Sequence, residues 1–287
     1  MTTISKTPSN IQIKPYRMDF EFSDAIPRYW AYNDPFITHF VGALSTFFPD
    51  GERFFIDSVR HYRDTVKDNK VRQQEIAGFI GQEAHHSKEH ESLNLFMEKR
   101  GLPAISGAKA ALTLLNWGRR KLPPRARLAA TVALEHFTAI LANRLLSHPD
   151  FMNHIDDSIK PLWMWHAIEE TEHKAVAFDL YKDVKGNNHK ELVSTMIIAT
   201  ALLAGTTALY QVRFMAKDGQ LLNIKSWAFG LNKLFGRDGL ISGLMPDYLD
   251  FFKEDFHPWD HANSELVQYW RTRLDVEMDK LKLLKAA

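Results

Sequence analysis

One pattern limits what this chain can fold into: Glu, then Glu-x-x-His, then Glu, then Glu-x-x-His, each member where a helix would otherwise turn an apolar side chain inward. Glu83 and His86 lie in the series Ile76, Phe79, Glu83, His86, His90, Leu93, Met97. Its alternating three- and four-residue steps trace one helix face. Glu170 and His173 repeat the arrangement among Leu162, His166, Ala177 and Leu180, with Glu169 beside the same stripe. Glu135 shares a face with Leu128, Val132, Ala139, Ala142 and Leu146, and Glu52 precedes Phe55, Val59, Tyr62 and Val66. A carboxylate in a core is costly unless a counter-charge meets it. Four carboxylates balance two divalent cations, so a two-metal centre accounts for the donors and for their burial together.

Two further histidines extend the pattern to Glu83-x-x-His86-x-x-x-His90 and His166-x-x-x-Glu170-x-x-His173. His166 is expected as a ligand. His90 fits equally as a ligand or as an outer donor that orients one. Glu169 could exchange roles with Glu170. His85, His136 and Glu172 point away from the stripe, and His39, near Phe36 and Phe40, reads as a packed histidine. A third Glu-x-x-His, Glu254 to His257, runs straight into Pro258 and reads as accidental. The chain has no cysteine, so its metals must be held by nitrogen and oxygen. Such donors suit iron, with manganese or zinc as alternatives.

The surrounding pattern is helical throughout. An arm over residues 1–33 is followed by an aromatic-rich stretch, Phe36 to Phe48, which Pro49-Asp50-Gly51 should end. A helix then restarts at Glu52. A second runs from about Val71 to Lys99, closed by Gly101 and Pro103, and a linker helix covers about 107–119. A third follows Pro123-Pro124 and ends at His148-Pro149, and a fourth spans about Ser158 to Lys185. This gives an all-α fold with a ferritin-like four-helix bundle core and additional helices. The bundle takes residues 34–187 and a C-terminal helical extension takes 188–287. Within the extension, Leu192 to Val212 is a run of 21 uncharged residues, long enough to span a bilayer. Its threonines and Gln211 argue instead for a helix packed on the bundle, which could wall an apolar substrate chamber. A charged amphipathic helix from about Ala262 to Leu284 closes the chain.

Several segments carry a wider likeness: Phe48-Pro-Asp-Gly-Glu52-Arg-Phe-Phe, Phe79-Ile-Gly-Gln-Glu83-Ala-His-His86, Leu134-Glu135-His136, Glu169-Glu170-Thr-Glu-His173-Lys and Phe256-His257-Pro258-Trp259. In these the chain resembles the bacterial proteins described as predicted metal-dependent hydrolases, over most of its length. The His-x-x-x-Glu-x-x-His arrangement is also similar to that of di-iron N-oxygenases acting on arylamines. There the additional histidine is a third nitrogen ligand, which implies that role for His166.

Two chemistries fit such a centre. The first is a non-haem di-iron oxygenase or oxidase, acting on a hydrophobic small molecule with electrons from an external donor. The alternative is a two-metal hydrolase. No His-Glu-x-x-His or His-x-His occurs, so the common hydrolase ligand signatures are missing, and oxygen chemistry is the expectation. With Lys plus Arg at 36 against Asp plus Glu at 35, no concentrated basic face points to a nucleic acid. Met1 to Phe20 contains no apolar signal-like core, so a cytoplasmic location is expected. The uncharged run leaves room for a homodimer or a peripheral membrane contact.

Overall fold

The computed structural model describes residues 5–107, 109–186 and 188–286. It is all-α. Among the described residues, twelve α-helices follow one another: α1 (Pro35–His61), α2 (Lys70–Lys99), α3 (Ala104–Gly107), α4 (Lys109–Lys121), α5 (Pro124–Ser147), α6 (Asp150–Asn153), α7 (Lys160–His173), α8 (Val176–Lys185), α9 (His189–Lys217), α10 (Ile224–Phe235), α11 (Met245–Asp250) and α12 (Ser264–Ala286). Among the described residues, the only extended pairing is an isolated bridge between Ala31 and Ile155.

Local chemistry sets the main boundaries. Asp34 caps α1 by accepting from the Ile37 amide at 3.0 Å, with Pro35 in the first turn. Asn69 does the same for α2 through the Arg72 amide. Such caps satisfy amides that the helix itself leaves unbonded. Gly101, at φ 86°, follows the end of α2 in the left-handed region that glycine tolerates best.

Two boundaries differ from the sequence reading. Pro49 does not end a helix: α1 runs through it to His61. A proline there removes the amide that would bond the Ser45 carbonyl. The Asn94 side chain on α2 donates to that carbonyl at 3.0 Å instead, so the gap is filled from the neighbouring helix. The expected fourth helix is in fact two, α7 and α8, separated at Lys174 and Ala175. Lys174 turns its ammonium onto the His261 carbonyl (2.7 Å) and Asn263 (2.8 Å), just after the last donor of the motif.

The apolar core is divided. One cluster gathers Phe40, Val41, Leu93, Met97, Leu145, Leu162, Trp163 and Trp165. The other gathers Phe55, Val59, Ile76, Phe79, Leu128, Val132, Val176 and Leu180. Along α1, α2, α5 and the α7–α8 pair, Glu52, Glu83, His86, Glu135, Glu170 and His173 fall between the two sets. The polar residues therefore form a layer across the middle of a four-helix core.

The N-terminal arm packs against the bundle. Ile11, Phe20, Ile26 and Trp30 are buried. The arm crosses α2 so closely that a Cβ on Gly78 would lie 2.1 Å from the Ile13 carbonyl oxygen.

The uncharged run lies in α9, which packs on α1 and α5. Met196, Tyr210, Phe214 and Met215 are buried, and Gln211 donates to the Phe36 carbonyl. Thr200 bonds Tyr248, and Thr206 bonds its own helix at Leu202. By length and composition α9 could cross a membrane, and only 17% of its most apolar window is buried. Leu203 is half-buried, whereas Leu202 and Leu209 face outward.

Candidate metal centre

Four helical segments deliver the donors predicted from the motif. One atom each from Glu52, His86 and His166 lie within 4.8 Å of one another, and the same holds for Glu83, Glu135, Glu170 and His173. All seven side chains are buried. Glu170 joins the groups: one oxygen is 2.9 Å from His166 Nε2 and 3.4 Å from His86 Nδ1, and the other is 3.5 Å from His173 Nε2. His173 Nε2 also approaches Glu83 at 3.1 Å and Glu135 at 3.4 Å.

Whether these residues suit a metal pair can be tested on their unused atoms. Buried polar atoms nearly always find a partner. Here both oxygens of Glu52, Glu83 and Glu135, together with Glu170 Oε2, His86 Nδ1 and His173 Nε2, have no hydrogen bond. They are the inward-facing atoms of the motif. Six residues that withhold lone pairs from the protein around one small volume, with His166 beside them, fit hard or borderline divalent cations.

Electrostatics agree. Burial pushes the Glu52 and Glu135 carboxyls well above the usual range, and the Glu83 charge adds to the effect. Burial alone would also raise Glu170, but His173, His166 and His86 surround it and hold it well below. Burial alone would lower His86, yet Glu169 and Glu170 on its two nitrogens bring it up to about 10. His166 is driven down to about 4 by burial and by the neighbouring His86. With only the protein's own groups counted, the layer carries more negative charge than its depth tolerates, and protons balance it. Cations bound there would replace those protons.

Each candidate histidine ligand has an outer partner that fixes its tautomer. His86 Nε2 donates to Glu169 at 3.1 Å, leaving Nδ1 for the centre. His173 Nδ1 donates to Gln82 Oε1 at 2.9 Å, leaving Nε2. His166 Nδ1 lies 2.6 Å from His90 Nε2, and His90 Nδ1 lies 2.9 Å from the Ser45 hydroxyl, which donates to Asn94. With His166 Nε2 reserved for the centre, every donor in that chain points one way: His166, His90, Ser45, Asn94.

Both nitrogens of His90 are therefore engaged, and it stands outside the two groups. Glu169 likewise stands behind His86. Glu172 is turned away from the donors, although it is buried. His39 pairs with Asp218 at 2.8 Å, and His136 faces the Asp247 carbonyl. His257 bonds Asp179 at 2.9 Å, so the third Glu-x-x-His has a structural use. The half-exposed trio Asp247, Asp250 and His261 also lies together, with His261 and Lys253 already bonded to Asp250.

Aromatic rings wall the layer. Phe79 meets His173, Trp165 meets His86, and Phe48 and Trp163 pack on His90 and His166. A water-sized apolar cavity beyond Trp163 is lined by residues such as Phe40, Leu44, Leu145 and Met152, and α9 contributes none of its lining.

The fold and the layer together define an all-α protein with a buried carboxylate–histidine cluster able to bind metal. The family described as predicted metal-dependent hydrolase matches residues 14–262, and the chain belongs to that family. No curated protein and no solved structure matches it.

Proposed function

We propose that the chain is an enzyme working through a two-metal centre held by Glu52, Glu83, His86, Glu135, His166, Glu170 and His173, in a ferritin-like arrangement of four helical segments. The observation that carries this reading is the convergence of unpartnered, fully buried donor atoms on one layer. Glu170 is the carboxylate shared by both halves. Glu52 with His86 and His166 completes one half, and Glu83 with Glu135 and His173 completes the other.

Bound there, a pair of divalent ions would supply Lewis acidity and an activated water for hydrolysis or, as iron, the capacity to reduce dioxygen. Hydrolysis is the chemistry that the family description supports, and an ester, amide or phosphate is the kind of bond a metal pair could polarise. The chain's own part is to hold the centre, exclude bulk water with Phe48, Phe79, Trp163 and Trp165, and keep each imidazole in one tautomer. A second reading, di-iron oxygenation or oxidation with an external electron donor, is favoured by one feature: four carboxylates and three imidazoles are carried on helices, buried and walled by aromatic rings. In either case the aromatic wall that Phe48, Trp163 and Trp165 build against the layer favours a hydrophobic small-molecule substrate.

The test is metal analysis with the optical spectrum of anaerobically prepared protein, before and after oxygen, alongside turnover of chromogenic esters. Ester turnover without any oxygen-dependent band selects hydrolysis, and an absorption band that appears only on exposure to oxygen selects the second reading. Protein that takes up no metal contradicts both.

A further inference from the structure

The histidines His86 and His173 enter opposite halves of the layer, yet their outer hydrogen bonds lead to one side chain, Arg271 of α12. The His86 path runs through Glu169, whose second oxygen lies 3.5 Å from Arg271 Nη2. The His173 path runs through Gln82: its Oε1 accepts from the imidazole, and its Nε2 donates to Glu172 at 2.8 Å. Arg271 then grips Glu172 with two bonds, Nε to Oε1 at 3.0 Å and Nη2 to Oε2 at 2.7 Å.

We propose that Arg271 is a positioning residue for the metal centre, fixing the aim of His86 and His173 at once through Glu169, Glu172 and Gln82. The inference rests on the two-metal reading of those histidines. Glu169 and Glu172 stand one turn apart on α7, both buried, and neither could be held in place by water. A planar guanidinium can bond two carboxylates at fixed angles, which a point-charge ammonium cannot. Two contacts place this residue, one on the guanidinium and one on the helix that carries it. Tyr16 of the N-terminal arm presents its ring face 4.5 Å from the guanidinium carbon, and Trp270, the preceding residue, bonds the Leu146 carbonyl on α5 at 2.8 Å. The arm, α12 and the bundle thus meet at Arg271, and the C-terminal helix becomes part of the centre although it supplies no ligand.

The probe is Co²⁺ alone, titrated into the full-length protein freed of metal by chelation. Its visible bands report the geometry of nitrogen and oxygen ligands. Arg271→Met keeps the aliphatic stem and removes the fork, whereas Arg271→Lys keeps the charge. Both variants should retain helical content but bind Co²⁺ about 10- to 100-fold more weakly, with altered band positions. A purely structural arginine would lower the melting temperature in chelator and leave the Co²⁺ spectrum and affinity unchanged, and that result overturns the proposal. If Arg271→Met does not fold, Arg271→Lys and Glu172→Gln carry the same comparison. Unaltered protein that binds no Co²⁺ overturns the centre itself and this inference with it, an outcome separate from normal binding that is indifferent to residue 271.

Discussion

Replacing Glu135 by Leu should stabilise the chelated protein and destabilise the metal-loaded one. Glu135 is 2% exposed, and neither of its oxygens has a hydrogen bond. Burial pushes its carboxyl well above the usual range, so without a cation it stays neutral by taking up a proton. An unpartnered buried acid is costly either way. Exchanging an unbonded buried polar group for an apolar one of similar volume recovers its desolvation cost, about 1–3 kcal/mol. At roughly 2–4 °C per kcal/mol for a chain of this order of size, the chelated variant should melt several degrees higher. Metal reverses the order. Ligand at about a hundredfold excess over its Kd adds roughly 2.7 kcal/mol per site, and the variant forgoes that gain at the half that needs Glu135. The assay is thermal unfolding of both proteins in chelator and in excess Co²⁺. A variant that melts lower than the unaltered protein in chelator, or gains as much from metal, would refute the reasoning.

Other outcomes follow from the same geometry. His166→Gln should leave the helices folded and alter the visible spectrum of one Co²⁺ site, and an unchanged spectrum would move His166 out of the ligand set. Burial raises Asp218, but Arg28 and His39 outweigh it and hold its pKa below the usual value. A lowered carboxylate stabilises the fold above its unfolded pKa and ceases to do so as pH falls. Asp218→Asn should therefore be less stable than the unaltered protein at neutral pH, with the difference shrinking below about pH 4; a gap that widens in acid is the opposite result. Leu222, between α9 and α10, and Ile224, the first residue of α10, are 87% and 80% exposed. If this face docks on a membrane, the protein should co-sediment with anionic vesicles, and Leu222→Glu should reduce that binding with no loss of melting temperature. Concentration-dependent dimers without vesicle binding would assign the face to a second copy.

How much of this was legible in the sequence depended on distance along the chain. The donors could be read because Glu83/His86 and Glu170/His173 each sit within one turn, and helical periodicity alone places them inward. Pro49 misled because its freed carbonyl is satisfied by Asn94, 45 residues later, and no local rule foresees that partner. His90 could not be assigned from spacing, since a ligand and an outer donor share the same face; only the His166 and Ser45 contacts separate the two. Arg271 lies about a hundred residues beyond the motif, and its signal was limited to a charge on an amphipathic helix. Gln82 and Glu172 were hidden beside the donors they support. For α9, an uncharged run reads the same whether its outer face is covered or bare, and the fold leaves much of it bare.

The central claim, a pair of metals sharing Glu170, is tested most directly by counting ions. Chelated protein reloaded with Co²⁺ and freed of excess should carry two ions per chain by elemental analysis, and Glu170→Ala should lose at least one. One ion or none in the unaltered protein, or two retained without Glu170, would contradict it.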